Sequence, residues 1–280
     1  MINYFVPKSL KEAVEILSKK DCYILSGGTD LMVQKHRSAS LLPTFDKDVI
    51  FVGEIKELDY IKVEHDGVHV GSATKYEKLL KSAQIPPIFK RIIKEIASPG
   101  IRNMATMAGN IGNASPAGDT LVPLNIFDGY VVLSSIRGNR KVLVSDYITG
   151  VRKTIREKDE MISEIVIPNL DLNFEYEKVG SRKAESITKV SFMGAYKLEG
   201  NIIKDFRVAF GSVSVKVIRD KEVEKKYIGL SKEEFNNRKE EIVSDYAKLV
   251  DPITDHRSTK EYRHKVAMNL LKRFLNNIAK

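Results

Sequence analysis

A pair of glycines at the end of an apolar strand constrains this chain more than any other feature. Cys22-Tyr23-Ile24-Leu25 reads as a short strand and runs directly into Ser26-Gly27-Gly28-Thr29-Asp30-Leu31. Two glycines at such a place let the backbone adopt positive φ and approach a ligand closely. Successive N–H groups then line a concave nest suited to a pyrophosphate, and Thr29 adds a hydroxyl. An ordinary strand-to-helix turn with Asp30 as its N-cap reads from the same residues, because Gly-Gly pairs are common in turns. The G-x-G-x-x-G dinucleotide fingerprint is not matched, since the third glycine is missing. A P-loop is excluded because no G-K-[ST] follows.

The segments around this pair alternate. Ser9 and Glu12 have capping-box spacing ahead of Leu10, Ala13, Val14 and Leu17, which recur as on one helix face. A helical stretch over 32–36 and a second apolar strand over 49–52 complete a unit that favours a small parallel sheet. From about residue 60 the pattern changes to antiparallel. Strands at 60–64 and 68–70 flank Asp66-Gly67, and strands at 130–135 and 141–144 flank Arg137-Gly138-Asn139. Helices are expected at 76–82 and 88–96, and another strand at 161–167 before Pro168. Beyond it, 174–178, 189–198 and 202–211 read as three antiparallel strands. Ser258 and Glu261 suggest a capping box for a last helix, whose Tyr262, Val266, Leu270, Phe274 and Ile278 form a core-facing stripe. The expected fold class is α+β. A two-subdomain region over 1–168, small α/β plus larger mixed α+β with a boundary near 56–60, precedes a C-terminal antiparallel sheet with helices over 169–280.

Composition narrows the function classes. The chain has 280 residues, 30% of them charged and 42% hydrophobic, the mix of a soluble globular protein. No stretch approaches the ~18 apolar residues of a membrane span. No secretory leader is visible at Met1 to Pro7, so the expected location is cytoplasmic. The single cysteine, Cys22, excludes an internal disulfide and a cluster of four thiolates, and it reads as a buried small hydrophobe. The net charge of +9 is spread along the chain without a basic block, which argues against nucleic acid as a partner. The five histidines are scattered, and His65 and His69 fall across a hairpin turn, so no metal site is expected.

A second segment carries chemistry. Ala105 to Asp119 reads ATMAGNIGNASPAGD, too rich in small residues for a good helix or strand. Hydroxyls, amides and glycines at close spacing suit hydrogen bonding to a polar ligand pressed against the backbone. A long surface loop is the plainer reading, though long loops within compact domains are usually functional.

Together the two segments resemble the FAD-binding subunit of the molybdenum hydroxylases, the group of xanthine dehydrogenase, aldehyde oxidoreductase and aerobic carbon monoxide dehydrogenase. The family's first loop is a small residue, Gly-Gly, a polar pair and an aliphatic residue, as in Ser26 to Leu31. Its second is close to Thr-[Ile/Val]-Gly-Gly-Asn followed by Ala-x-Pro-x-x-Asp. Here Thr106-Met107-Ala108-Gly109-Asn110 precedes Ala114-Ser115-Pro116 and Asp119, with Ala108 in place of a family glycine. One methyl fits there if φ is negative. The stretches 98–103, 160–168 and 174–179 are also similar to bacterial members.

The resemblance implies FAD as cofactor. Gly27, Gly28 and Thr29 would cradle its pyrophosphate, with Ser26, Asp30 and Leu31 of the same loop also binding the cofactor. Thr106, Gly109, Asn110 and Asn113 would form a second wall, Asp119 a polar contact, and Ile162 and Lys178 would lie near the isoalloxazine ring. Lys178 is also unusual by itself, because it shares a strand face with Phe174 and Tyr176 where alternation calls for an apolar residue. The implied partners are a molybdenum-cofactor large subunit, a small subunit with [2Fe–2S] clusters and an external electron acceptor, NAD or another. No catalytic residue is assigned, and the chain is not expected to oxidise substrate alone. A stand-alone flavoenzyme on a related fold and a basic nucleic-acid-binding protein are the alternatives.

Overall fold

The computed structural model describes residues 2–36 and 41–279. Two compact units divide the chain: residues up to Ala114 together with Asp128–Asn169, and Ser115–Phe127 together with everything from Leu170 onward.

The first unit opens with β1 (Tyr4–Phe5), α1 (Leu10–Leu17), β2 (Cys22–Leu25), α2 (Leu31–Lys35) and β3 (Asp48–Phe51). The three strands form a parallel sheet in the order β1-β3-β2, so the expected small α/β subdomain is present. Strand β1 was not legible, because two residues are too few to show alternation. Ser9 accepts from the Glu12 N–H and caps α1, while the Glu12 carboxylate turns to the Lys8 N–H rather than completing a box. Ala13, Val14 and Leu17 of α1 bury against Cys22, Ile50 and Val52, which makes Cys22 a core residue as expected.

The chain then builds β4 (Ile61–Glu64), β5 (Gly67–Gly71), α3 (Tyr76–Lys81), α4 (Pro87–Lys94), α5 (Pro99–Arg102) and α6 (Met107–Asn113). It passes into the second unit through α7 (Leu121–Ile126) and returns as β6 (Tyr130–Ser135), β7 (Gly138–Leu143), α8 (Val144–Tyr147), β8 (Ile148–Gly150), β9 (Lys153–Thr154) and β10 (Met161–Pro168). A five-stranded antiparallel sheet results, ordered β4-β5-β10-β6-β7. Strand β10 is central and apolar, with Ile165, Val166 and Ile167 fully buried, as a strand covered on both faces must be.

The second unit is the three-stranded antiparallel sheet β11 (Asn173–Val179), β12 (Val190–Glu199) and β13 (Ile202–Gly211), followed by α9 (Lys221–Lys225), α10 (Lys232–Asn237), α11 (Lys239–Ala247) and α12 (Lys260–Ala279). Aromatic edges lock this core: Phe206 meets Phe235 at 5.2 Å and Phe192 meets Phe274 at 5.6 Å. The last helix is where the expected stripe needs correction. Thr259, not Ser258, caps it by accepting from the Tyr262 N–H, and Tyr262 lies 45% exposed. The buried face runs instead through Arg263, Ala267, Met268, Leu271 and Leu275 as well as Leu270, Phe274 and Ile278. Spacing by four alone drifts around a helix of 3.6 residues per turn, which is why the first member misses the core. Among the described residues no helix is long and apolar enough to cross a membrane.

The β4–β5 hairpin holds a charge cluster that the sequence did not reveal. His69 on β5 is 6% exposed. Its Nε2 lies 2.8 Å from Asp66 and 3.8 Å from Glu64, and its Nδ1 lies 3.1 Å from Glu164 on β10. Tyr130 donates to Asp66, Tyr60 donates to Glu164, and Lys141 stands 3.9 Å from Asp66. Glu64, Asp66 and His69 could in principle converge on a cation. Both ring nitrogens already meet carboxylates, so the arrangement suits an imidazolium instead. Burial lowers the His69 pKa, but the flanking carboxylates outweigh it and hold the ring above its ordinary value of 6.5. Hydrogen bonds from Tyr130 and His69 hold Asp66 well below the usual carboxylate range. A raised folded-state pKa gives stability that is complete below the unfolded value and lost as pH rises through the folded value. Urea unfolding is therefore expected to show the wild type losing stability on passing upward from pH 6 through the raised His69 value. A His69→Gln variant should be flatter over that window, and parallel curves would refute the assignment.

Candidate functional site

The first loop is shaped by backbone proximity. Ser26 follows β2 at the carboxyl end of the parallel sheet, where ligands of α/β folds bind. A β-carbon on Gly27 would lie 2.0 Å from the Met104 carbonyl oxygen, so residue 27 must be glycine for the loop to lie against the segment that leads into α6. Gly28 has φ +70°, and a β-carbon there would meet Leu25 and Met32, each at 3.1 Å. Its requirement is therefore conformational, and a side chain at 28 would point at those two residues. The N–H groups of Gly27, Gly28 and Thr29 donate to no acceptor among the described residues. The Ser26 hydroxyl is buried without a hydrogen-bond partner. Buried polar groups are nearly always satisfied, so an orphaned hydroxyl beside free N–H groups fits a polar ligand such as a diphosphate. Asp30 occupies the N-cap position of α2 but does not cap it; its carboxylate accepts from Gln34 and, at 3.2 Å, from Arg152. Leu31 begins α2.

The second segment is a helix where the sequence suggested neither helix nor strand. Thr106 accepts from the Gly109 N–H at 3.0 Å, and Met107, Ala108 and Ile111 form a buried face. The cap and this face outweigh two glycines that each cost about 1 kcal/mol in a helix. Ala108 sits in the helix and is not among the positive-φ residues, which explains why a methyl is tolerated there. Gly109 and Gly112 are exposed one turn apart. A β-carbon on Gly109 would meet only the Thr106 hydroxyl at 3.1 Å, and one on Gly112 only Ile162 at 3.9 Å. The helix thus offers bare backbone along one edge, with Asn110 in its second turn and Ile162 of β10 beside it. Asn113, in the last turn, accepts from Gln34 at 2.8 Å and from Arg152 at 2.5 Å. Arg152 adopts φ 56°, and its N–H donates to the Ala114 carbonyl. This arginine ties the two loops together through Asp30 and Asn113, and no motif marked it.

Asp119 and Lys178 belong to the second unit and form a buried pair, Nζ to Oδ2 2.8 Å, with side chains 11% and 6% exposed. Thr188 donates to the other carboxylate oxygen at 2.5 Å. Burial pushes the Asp119 carboxyl up against the opposing pull of Lys178 and Thr188. Lys178 is thus buried, and Asp119 balances its charge locally. Removing one partner of such a pair strands a buried charge, at a cost of about 3–5 kcal/mol. Lys178→Met should lower the denaturation midpoint strongly, and Lys178→Met/Asp119→Asn should recover much of the loss. Equal midpoints for the two variants would contradict the pairing.

The loop geometry offers unused N–H groups, an orphaned hydroxyl and a glycine edge, donors that suit an anionic ligand. A family model described as "FAD binding domain in molybdopterin dehydrogenase" matches residues 1–170, and one described as "CO dehydrogenase flavoprotein C-terminal domain" matches 175–278. The chain is 31% identical over 281 residues to the glyceraldehyde dehydrogenase medium chain of Sulfolobus acidocaldarius, spanning 99% of this chain and 98% of that one. It is 27% identical over 282 residues to the carbon monoxide dehydrogenase medium chain of Hydrogenophaga pseudoflava, spanning 98% and 95%. Among solved structures, a chain of the cyanide-inactivated Cu,Mo-CO dehydrogenase superposes with a TM-score of 0.88 at 25% identity, over 99% of this chain and 97% of that one. The protein therefore belongs to the family of FAD-binding medium subunits of the molybdenum hydroxylases, and it is an oxidoreductase subunit.

Proposed function

We propose that this chain holds FAD through Ser26, Gly27, Gly28, Thr29, Asp30 and Leu31 on one side and Thr106, Gly109, Asn110, Asn113 and Ile162 on the other. The carrying observation is the orphaned Ser26 hydroxyl beside unused N–H groups at the carboxyl end of β2. The flavin, when bound, supplies stepwise electron transfer. The chain's own residues hold it in place: the loop N–H groups bind the diphosphate, the glycine edge of α6 lets the cofactor approach the backbone, and the Arg152 clip keeps the loops in register. Asp119 and Lys178 enter the flavin set by family resemblance, as a neutral pair rather than a lone charge. Residues 1–168 would be the FAD-binding domain and 169–280 the C-terminal domain, with 115–127 packing into the latter's unit.

The chain would work as the flavin stage of a larger enzyme. Relatives carry names such as medium chain or FAD-subunit, which speak of companion chains. One cysteine cannot ligate an iron–sulfur cluster, so clusters and the molybdenum cofactor would lie on partner subunits and pass electrons to this FAD, then to an external acceptor such as NAD. A stand-alone flavoenzyme would also need an acid–base pair and a substrate pocket facing the flavin.

Two measurements test this. Gly27→Ala, whose methyl would overlap the Met104 carbonyl, should bind FAD at least about tenfold more weakly, a penalty of ~1.4 kcal/mol or more. Wild-type FAD affinity in the folded variant would refute the cradle. The isolated chain reconstituted with FAD should show flavin absorbance yet turn over no purine, aldehyde or N-heterocycle with a dye acceptor. Robust substrate oxidation by the lone chain would refute the subunit role.

A further inference from the structure

Lys75 stands between β5 and α3, and the sequence marks it only as one lysine among many. Its backbone pairs with Thr106 in an antiparallel bridge, and the neighbouring Tyr76 N–H donates to the Ala105 carbonyl at 3.0 Å. The residue is therefore fixed against the start of the second loop. Its side chain runs the other way. The Nζ donates to the Gly53 carbonyl at 3.2 Å, just past the end of β3. Gly53 in turn lies so close to the first loop that a β-carbon on it would be 2.9 Å from the Ser26 carbonyl oxygen. Lys75 thus joins the start of the second loop to Gly53, the residue packed against the first loop, with its ammonium just past the carboxyl end of β3.

The ammonium is also half-buried and makes no ion pair among the described residues; Glu54 and Asp59 act on it only at a distance. Burial lowers its pKa below the ordinary lysine value. A desolvated cation with one carbonyl partner keeps donors for an anion, and the unused donors of the loop against which Gly53 packs, the Ser26 hydroxyl and the Gly27 and Gly28 N–H groups, call for the same kind of ligand.

We propose that Lys75 is an additional anchor for the diphosphate of FAD, completing the charge of a cradle otherwise built from backbone donors. This rests on the FAD site described above. The competing possibility is that Lys75 only ties the Gly53 carbonyl to α3.

The test is FAD affinity of the full chain by quenching of flavin fluorescence, for wild type, Lys75→Gln and Lys75→Arg, at several salt concentrations, with the melting temperature of each FAD-free protein. Lys75→Gln should bind FAD about tenfold more weakly or worse, and its affinity should depend less on salt. Lys75→Arg should stay within about threefold of wild type, because it keeps the charge. A Lys75→Gln protein with wild-type FAD affinity overturns the proposal, whatever its melting temperature. Footprinting of the unmutated protein with an amine reagent covers the case in which Lys75→Gln does not fold. FAD should slow labelling of Lys75 but not of Lys197 on β12, and equal labelling with and without FAD overturns the proposal. A wild type that binds no FAD at all would instead refute the cradle itself.

Discussion

Gly27 has no room for a β-carbon because the Met104 carbonyl oxygen occupies that space. This close approach of two backbones sets the distance between the β2–α2 loop and α6, and the rest of the site follows from it. The loop can then present its N–H groups outward, α6 can present its glycine edge, and Arg152 can reach Asp30 and Asn113 together. The charge of a diphosphate would be met mostly by oriented dipoles, which are fixed by the fold and need no reorganisation when the ligand arrives.

Much of this was legible because glycine is informative where the chain is crowded. The Gly27-Gly28 pair announced close approach, and the neighbour of Gly27 turned out to be protein backbone, the Met104 carbonyl. The alternation of strands and helices before residue 60 and the uninterrupted strands from Asn173 to Gly211 reported the sheet types directly, because parallel and antiparallel connections need different chain lengths. The helix α6 was hidden for a physical reason: its helical signal lies in a Thr106 cap and three buried side chains, while its exposed side is glycine, which lowers every propensity measure.

Charged residues were the least legible. Arg152 owes its place to a partner far away in sequence, Asp30 at a separation of 122 residues. His69 was weighed against His65, its neighbour by spacing, whereas its partners are the carboxylates Asp66, Glu64 and Glu164. Lys178 stood out only because strand alternation left it on an apolar face, and that signal did point to a buried ammonium, though not to Asp119 as its counter-ion.

Strand β10 lies at the centre of the five-stranded sheet but is the last of its strands to be made. Glu164 pairs with Gly71, and Ile162 pairs with Leu133. During synthesis the β4–β5 and β6–β7 hairpins must therefore wait on the ribosome with unpaired edges that the finished protein covers. Such edges are templates for wrong pairing, so the nascent chain is most exposed to aggregation just before the apolar run around Ile165 emerges. Closing the sheet then converts two marginal hairpins into one cooperative unit, a non-local step of the kind that slows folding.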